Sequence, residues 1–260
     1  MGGKYSCTKK HITKTPQRYI CFLEGVSSVG KSKSIDRFIP VSKDIHVEKL
    51  FLDIIQISNR YKLTVSENLT FDRVLYTDIY KTLFFNHCIS NDTAFDLMLI
   101  DRSPVAVYIY DLMFRYVFPH VKLHLRKKES GGKTIEEILK ACGQIYNSFE
   151  KILTSLKLLD KMFMTNKYAY KVELIFCICD FDDIDFYNSL LYNRGWLDRN
   201  LLQDDFYKKM YIGIQCFLFQ EVYKFLLEED FKYIKFTHLT VSPNDEDRII
   251  KYLNLINTSN

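Results

Sequence analysis

No apolar run in this sequence approaches the roughly 20 residues that a membrane-spanning helix needs. The first 18 residues are polar and basic and show no secretory signal. Cysteine and histidine do not occur at the spacing of a zinc site, and there is neither an internal repeat nor a low-complexity segment. Basic residues are scattered, with one local cluster at residues 126–128, so no stripe for nucleic acid is present. Membrane-spanning, secreted, zinc-binding and nucleic-acid-binding proteins are therefore disfavoured.

The cysteines number seven, which is odd, and Cys21, Cys177 and Cys179 fall within apolar segments. This usage is typical of a cytoplasmic protein with reduced thiols. Hydrophobic residues make up 47% of the 260 residues and aromatic residues 15%, which predicts one globular domain with a large core. The formal net charge is +4, and a nucleotide pocket would account for part of this mild basicity.

The most informative stretch runs from residue 19 to residue 38. An apolar segment from Tyr19 to Leu23 predicts a buried strand, and a helical pattern starts near Lys31. Between them lies the P-loop pattern Gly-x4-Gly-Lys-Ser, formed by Gly25, Val26, Ser27, Ser28, Val29, Gly30, Lys31 and Ser32. In such a loop the backbone N–H groups and the helix N-terminus face an anion, the lysine reaches the β- and γ-phosphates, and the serine hydroxyl ligates Mg²⁺. The sequence therefore predicts binding of ATP with Mg²⁺.

Strands and helices alternate along the rest of the chain. We predict a flexible basic segment over residues 1–18 and one domain over residues 19–260. Periodicity predicts strands over 19–24, 41–48, 95–100, 171–179 and 233–236, and helices over 31–38, 50–61, 71–88, 105–118, 134–164, 201–227 and 243–256. Residues 119–133 are predicted to be a basic loop. Nearly continuous apolar strands between helices indicate a three-layer α/β domain with a parallel sheet.

Two further groups of charged residues point to phosphoryl transfer. Asp101 and Arg102 follow a buried strand, at the edge where ligands bind in open parallel sheets. Asp101 would assist the metal and Arg102 would stabilise the transferring phosphoryl group. Arg194 and Arg199 flank Gly195 in a segment that resembles a lid, at about residues 188–200. Glu48, placed after the second strand, is the candidate base for the acceptor hydroxyl.

This order of motifs resembles the deoxyribonucleoside kinase family, and within it the herpesvirus-type thymidine kinases. The segment 101–106 is Asp-Arg-Ser-Pro-Val-Ala, and Arg115-Tyr116 follows it. The herpesviral enzymes have Asp-Arg-His-Pro-Ile-Ala there, with an Arg-Tyr at the matching distance, whereas the cellular enzymes have Glu-Arg-Ser. The resemblance covers most of residues 19–240, although only the P-loop and the Asp-Arg-Ser-Pro segment match sharply.

The resemblance implies a P-loop kinase fold, with a five-stranded parallel sheet in the order 2-3-1-4-5, and a homodimer. It implies transfer of the γ-phosphoryl group of ATP to a nucleoside 5′-hydroxyl, with thymidine as the default substrate. Glu48, Asp101, Arg102 and Lys31 would be catalytic, and Arg194 and Arg199 would come from the lid. The substrate side would be formed by Asp72, Arg73, Tyr76, Tyr110 and Arg115. Asp72 or Arg73 stands where the family has a base-reading glutamine, which leaves the base preference open.

Two alternatives stay open. A thymidylate-type monophosphate kinase also has a P-loop and an Asp-Arg motif, but it typically continues with Tyr, and Ser103-Pro104 argues against it. A degenerate family member with a structural role would explain why Glu48 is followed by Lys49, where the family has Glu-Pro.

Gly2, with Ser6 four positions later, fits an N-myristoylation signal and would give a weak membrane association. The abundance of Lys, Asn, Tyr, Phe and Ile is typical of an AT-rich genome, such as that of a large DNA virus.

Overall fold

A computed structural model of the chain describes residues 17–51, 95–126, 134–164, 169–192 and 205–258. Five strands form one sheet in the order β2-β3-β1-β4-β5, and all four neighbouring pairs are parallel. The strands are β1 (Gln17–Gly25), β2 (Val47–Phe51), β3 (Leu97–Asp101), β4 (Ala169–Cys179) and β5 (Ile234–Val241). The expected P-loop α/β fold and its strand order are confirmed.

Helices cover both faces of this sheet. They are α1 (Lys31–Arg37), α2 (Pro104–Leu112), α3 (Phe118–Arg126), α4 (Ile135–Lys140), α5 (Gln144–Met164), α6 (Ile184–Tyr192), α7 (Asp205–Leu227) and α8 (Arg248–Thr258). Helices α2, α5 and α7 pack against one another on one face, while α1 and α8 pack together on the other. A π-helical turn at Met113–Val117 joins α2 to α3, and a 3₁₀ turn at Phe181–Asp183 precedes α6.

The central strands are apolar because they are buried on both faces. All five residues of β3 are buried, and Ile20–Leu23 in β1 are fully inaccessible. A parallel sheet covered by helices has no solvent face that would demand polar residues at alternate positions. The polar exceptions at the strand ends, Glu24 and Asp101, are therefore the residues that need an explanation.

The second strand is displaced from its predicted position. It covers Val47–Phe51, rather than residues 41–48, and it pairs with β3 so that Phe51 stands opposite Asp101. The adjacent apolar residues at 50 and 51 suggested the start of a helix, but they belong to a strand at the edge of the sheet. The remainder of the predicted helix 50–61, and the whole of helix 71–88, lie outside the described residues.

Other boundaries also differ from those predicted. The segment 118–126 is helical rather than a loop, because helical structure continues through the π-helical turn at Met113–Val117 and past Pro119 to Arg126. The predicted helix 134–164 is interrupted between Lys140 and Gln144, at Gly143. Its beginning is as predicted, because Thr134 and Glu137 form a reciprocal capping box. Strand β5 extends to Val241, further than expected.

Five cysteines in the described part of the chain are free and buried. The sulfur atoms of Cys179 and Cys216 lie 3.2 Å apart, without a disulfide. Among the described residues no helix is both long and apolar enough to cross a membrane.

Asp160 in α5 fixes the start of β5. Its carboxylate accepts hydrogen bonds from the N–H groups of Lys232, Tyr233 and Ile234, at 3.1, 2.8 and 3.2 Å. We expect Asp160→Ala to lower the free energy of unfolding by about 2–4 kcal/mol, because partly buried donors lose a charged acceptor. Urea denaturation measures this, with Glu228→Ala, an exposed residue in the turn after α7, as the control, expected within about 0.5 kcal/mol of the wild type. Equal effects of the two substitutions would contradict this role of Asp160.

Candidate active site at the carboxyl edge of the sheet

The P-loop connects β1 to α1, and its first glycine is required by packing. Gly25 has a φ of +113°, and a Cβ atom at this position would lie 2.8 Å from the carbonyl carbon of Cys177 on β4. The next residue, Val26, donates its N–H to the same Cys177 carbonyl at 3.0 Å. Gly30 has open space around it, but its φ of +88° is a backbone conformation that favours glycine. The loop therefore lies directly against β4.

Helix α7 holds the middle of the loop. The N–H of Ser27 donates to Oε1 of Gln215 at 2.7 Å, and Gln215 is fully buried. Gln215 was not among the predicted site residues, although a glutamine within the apolar stretch 211–219 was a signal. A buried amide in such a stretch needs hydrogen-bond partners, and here one partner is the phosphate-binding loop.

The Lys31 side chain folds back over the start of the P-loop. Its Nζ donates to the carbonyl of Gly25 at 3.2 Å and to the carbonyl of Val26. Burial lowers the pKa of Lys31 to about 8, and the positive charge of Arg102 contributes to the decrease. Nearby Asp101, Cys177 and Glu24 act in the opposite direction. A bound phosphate would supply the anion that favours the charged lysine.

Ser32 and Asp101, the two predicted metal ligands, are hydrogen-bonded to each other. The Ser32 hydroxyl, at the start of α1, donates to Oδ2 of Asp101, at the end of β3. Oδ1 of Asp101 is buried and has no hydrogen-bond partner among the described residues. A hydroxyl and a carboxylate oxygen are the ligand types that Mg²⁺ prefers. These two residues therefore fit a magnesium ion, with Asp101 Oδ1 available as an oxygen ligand.

The described residues hold no group of three or more His, Cys, Asp or Glu side chains suited to a metal ion. Mg²⁺ in nucleotide sites is commonly held by one or two protein oxygens, while phosphates and water complete its shell. The pair Ser32 and Asp101 is sufficient for that mode of binding.

Arg102 has a backbone conformation that L-residues disfavour. Its φ is +80°, and its N–H donates to the carbonyl of Leu23 at 3.1 Å. One guanidinium N–H donates to the hydroxyl of Tyr110 at 2.9 Å, and that hydroxyl lies 3.0 Å from Oγ of Ser27. Tyr110, predicted to bind substrate, thus lies between Arg102 and the P-loop. Strain of this kind at a charged residue is common at functional sites.

Glu24 is a second site residue that was not predicted from the sequence. It is fully buried, and its Oε1 accepts a hydrogen bond from the N–H of Ser103, while Oε2 has no partner among the described residues. Burial raises the pKa of Glu24 to about 7, although Ser103, Arg102 and Lys31 act to lower it. The available signal was a lone carboxylate at the end of an otherwise apolar strand.

The prediction that Glu48 follows the second strand is wrong. Glu48 lies inside β2, opposite Met98, three positions before the strand ends at Phe51. At about 3.3 Å per residue it is about 10 Å back from the edge where the P-loop lies. The reason for choosing it as the base is therefore lost.

Arg115 is on the π-helical turn, where its Nε lies 3.2 Å from Oδ1 of Asp111. The contacts that join Tyr110, Arg102 and Ser27 do not include it.

The predicted lid at residues 188–200 begins inside α6, where Asn188 is buried and accepts a hydrogen bond from the N–H of Ile212 at 3.4 Å. The other predicted site residues lie outside the described residues: Gly2, Asp72, Arg73, Tyr76, Arg194 and Arg199.

No protein-family model and no curated protein sequence matches the chain. Among solved structures it is similar to the tRNA delta(2)-isopentenylpyrophosphate transferase of Staphylococcus epidermidis, with 12% identity, a TM-score of 0.37, and coverage of 94% of this chain and 100% of that one. It is also similar to the full-length tRNA isopentenylpyrophosphate transferase of Bacillus halodurans, with 12% identity, a TM-score of 0.24, and coverage of 93% and 97%. Overlap at these TM-scores is too small to indicate a shared activity.

The contact between Gly25 and Cys177 leads to a stability prediction. We expect Gly25→Ala to lower the free energy of unfolding by about 2 kcal/mol or more, because the new methyl group overlaps backbone at a positive φ. Gly143→Ala is the matched control: a Cβ there meets no atom within 4 Å, and its φ is not positive. Urea denaturation of both variants measures the difference, and an equal response would rule out the packing constraint.

The buried Glu24 leads to a pH prediction. Its pKa in the folded protein, about 7, exceeds the ordinary value of 4.5, so the folded state holds this proton more tightly than the unfolded state. The resulting stability is complete below pH 4.5 and is lost as the pH rises through 7. Relative to Glu24→Gln, the wild type should therefore lose about 3 kcal/mol of unfolding free energy over this interval. Urea denaturation of both proteins at several pH values tests this, and parallel curves would contradict it.

Proposed function

We propose that this protein is an ATP-dependent nucleoside kinase, which transfers the γ-phosphoryl group of ATP to the 5′-hydroxyl of a nucleoside, with thymidine as the default substrate. The observation that carries the proposal is the contact between Ser32 and Asp101, which joins the P-loop to the Asp-Arg turn. Lys31 on one side and Arg102 on the other supply positive charge. This combination supports phosphoryl transfer, which depends mainly on positioning and on electrostatic stabilisation.

Each residue would have a defined task. The N–H groups of the P-loop and the Lys31 ammonium would hold the β- and γ-phosphates. Ser32 and Asp101 would hold Mg²⁺, which neutralises charge on the phosphate oxygens when it is bound. Arg102, hydrogen-bonded to Tyr110, would stabilise charge on the group in transfer.

The bond changes follow from this arrangement. The nucleoside 5′-oxygen forms a bond to the γ-phosphorus, and the bond from that phosphorus to the β,γ-bridging oxygen breaks, so that ADP leaves. The hydroxyl proton passes to a carboxylate or water on the acceptor side. We do not assign this proton acceptor to Glu48, because Glu48 lies within β2.

A second candidate function is nucleotide binding without catalysis, as in a degenerate family member. The position of Glu48 favours it, since the expected base is not at the edge of the sheet. The buried Lys31 and Asp101 and the partly buried Ser32 favour the kinase, because keeping a lysine and a carboxylate away from water is costly unless they serve a function.

A phosphotransfer assay distinguishes these functions. The purified protein, ATP and Mg²⁺ are incubated with each of the four deoxynucleosides, and separately with thymidine monophosphate. We expect turnover of a nucleoside, reduced at least about 100-fold by Lys31→Ala, because the γ-phosphate loses its cation. Lys33→Ala is the matched control: that side chain is 65% exposed and pairs with Glu246, so its loss should leave turnover unchanged.

Turnover of the monophosphate alone would replace the nucleoside kinase with a thymidylate-type kinase. Binding of ATP without turnover of any acceptor would overturn the kinase and support the non-catalytic function.

A further inference from the structure

The buried carboxylate of Glu24 is bound by Ser103 through one oxygen, Oε1, while its other oxygen, Oε2, has no hydrogen-bond partner among the described residues. The titratable groups that act on it are Arg102 from the turn after β3, Lys31 from α1, and the thiol of Cys177 from β4. Because Glu24 is 0% exposed, it has no surface through which to contact a bound molecule directly, and any effect on one would pass through its neighbours.

The turn after β3 is held in an unfavourable conformation. Arg102 has a φ of +80°, which L-residues rarely adopt, and the next residue, Ser103, caps α2. Two contacts tie this turn to β1: the N–H of Arg102 donates to the Leu23 carbonyl, and the N–H of Ser103 donates to Glu24. The second contact is the one whose strength depends on a charge, since a hydrogen bond to a carboxylate is stronger than one to a neutral oxygen.

We propose that Glu24 is a positioning residue for Arg102: its ionised carboxylate holds the turn formed by Asp101, Arg102 and Ser103, and thereby directs the Arg102 guanidinium at the phosphates of bound nucleotide. This inference rests on the proposed function, because it assigns Arg102 to the phosphoryl group. Protonation of Glu24 weakens the hydrogen bond from Ser103, removes the negative charge near Arg102, and releases the strained turn.

Burial raises the pKa of Glu24 to about 7, so this change falls in the neutral range. Of the groups that face it, Cys177 has a pKa raised to about 12 by burial and stays protonated there. Lys31, with a pKa lowered to about 8, begins to lose its proton above this range. The Glu24→Gln variant keeps an oxygen acceptor for Ser103 but carries no charge. A titration that depends on Glu24 is therefore one that this variant does not show.

The first measurement follows the Ser103 amide by NMR in protein labelled with ¹⁵N-serine, between pH 5.5 and 8. We expect its resonance to shift with a midpoint near neutral pH, as its acceptor ionises, and to stay unshifted in Glu24→Gln. A wild-type resonance that does not shift with pH would overturn the proposal. This outcome is measured on the wild-type protein alone, so it does not depend on whether a variant folds.

The second measurement compares MgATP affinity and kcat between pH 6 and 7.5 in the wild type, Glu24→Gln and Glu173→Gln. We expect wild-type affinity and kcat to rise with pH, and Glu24→Gln to remain at the low-pH level, about tenfold down at pH 7.5. Glu173 is the matched control: it is a buried carboxylate of β4 that accepts the hydroxyl of Tyr252 at 2.7 Å, away from the P-loop. Its substitution should leave both profiles unchanged.

The two measurements separate this inference from the proposed function. If no acceptor is phosphorylated, the kinase fails, while a pH-dependent MgATP affinity that is lost in Glu24→Gln still supports the role of Glu24. If the wild type turns over and Glu24→Gln keeps its affinity, kcat and pH profile, the role of Glu24 is overturned and the kinase stands.

Discussion

The parallel register of β1 against its two neighbours is the constraint on which the site depends. It sets Leu23 opposite Asp101 on β3 and Gly25 opposite Cys177 on β4. Because parallel strands end at the same edge, the P-loop emerges beside the Asp-Arg turn, and Ser32 reaches Asp101. A shift of one residue would turn Asp101 to the other face of the sheet and separate it from α1.

This register gathers charged groups in a place that solvent barely reaches. Glu24, Lys31 and Asp101 are each at most 5% exposed. Burial disfavours the charged forms of Glu24 and Lys31, and their opposite charges only partly offset this effect. Arg102 adds backbone strain. Apolar packing of helices on both faces of the sheet must offset the cost of these buried charges and of the strained backbone. Buried charges and strain of this kind are typical of sites that bind ligands.

Local pattern was sufficient for the elements that are buried and regular. The apolar runs before Gly25 and Asp101 predicted strands, the P-loop pattern predicted the loop between β1 and α1, and Thr134 with Glu137 predicted a helix start. Local pattern failed at β2, since an edge strand is partly exposed and its adjacent Leu50 and Phe51 also suit a helix. It failed again at Pro119, where a proline predicted the end of a helix but helical structure continues from the π-helical turn to Arg126.

The sequence by itself determined the class of the fold and the chemical groups of the candidate site: a P-loop, the carboxylate of Asp101 and the arginine beside it. Only the tertiary structure decided which side chains support them. Gln215 accepts a hydrogen bond from Ser27, although the two residues are 188 positions apart in the sequence. Tyr110 is hydrogen-bonded to the same serine and is 83 positions away from it. Periodicity records which face of one element is buried, but it contains no information on what lies opposite. The pairing of the strands buries Glu24 and so raises its pKa, and it also places Glu48 away from the site. No local sequence pattern specifies this pairing.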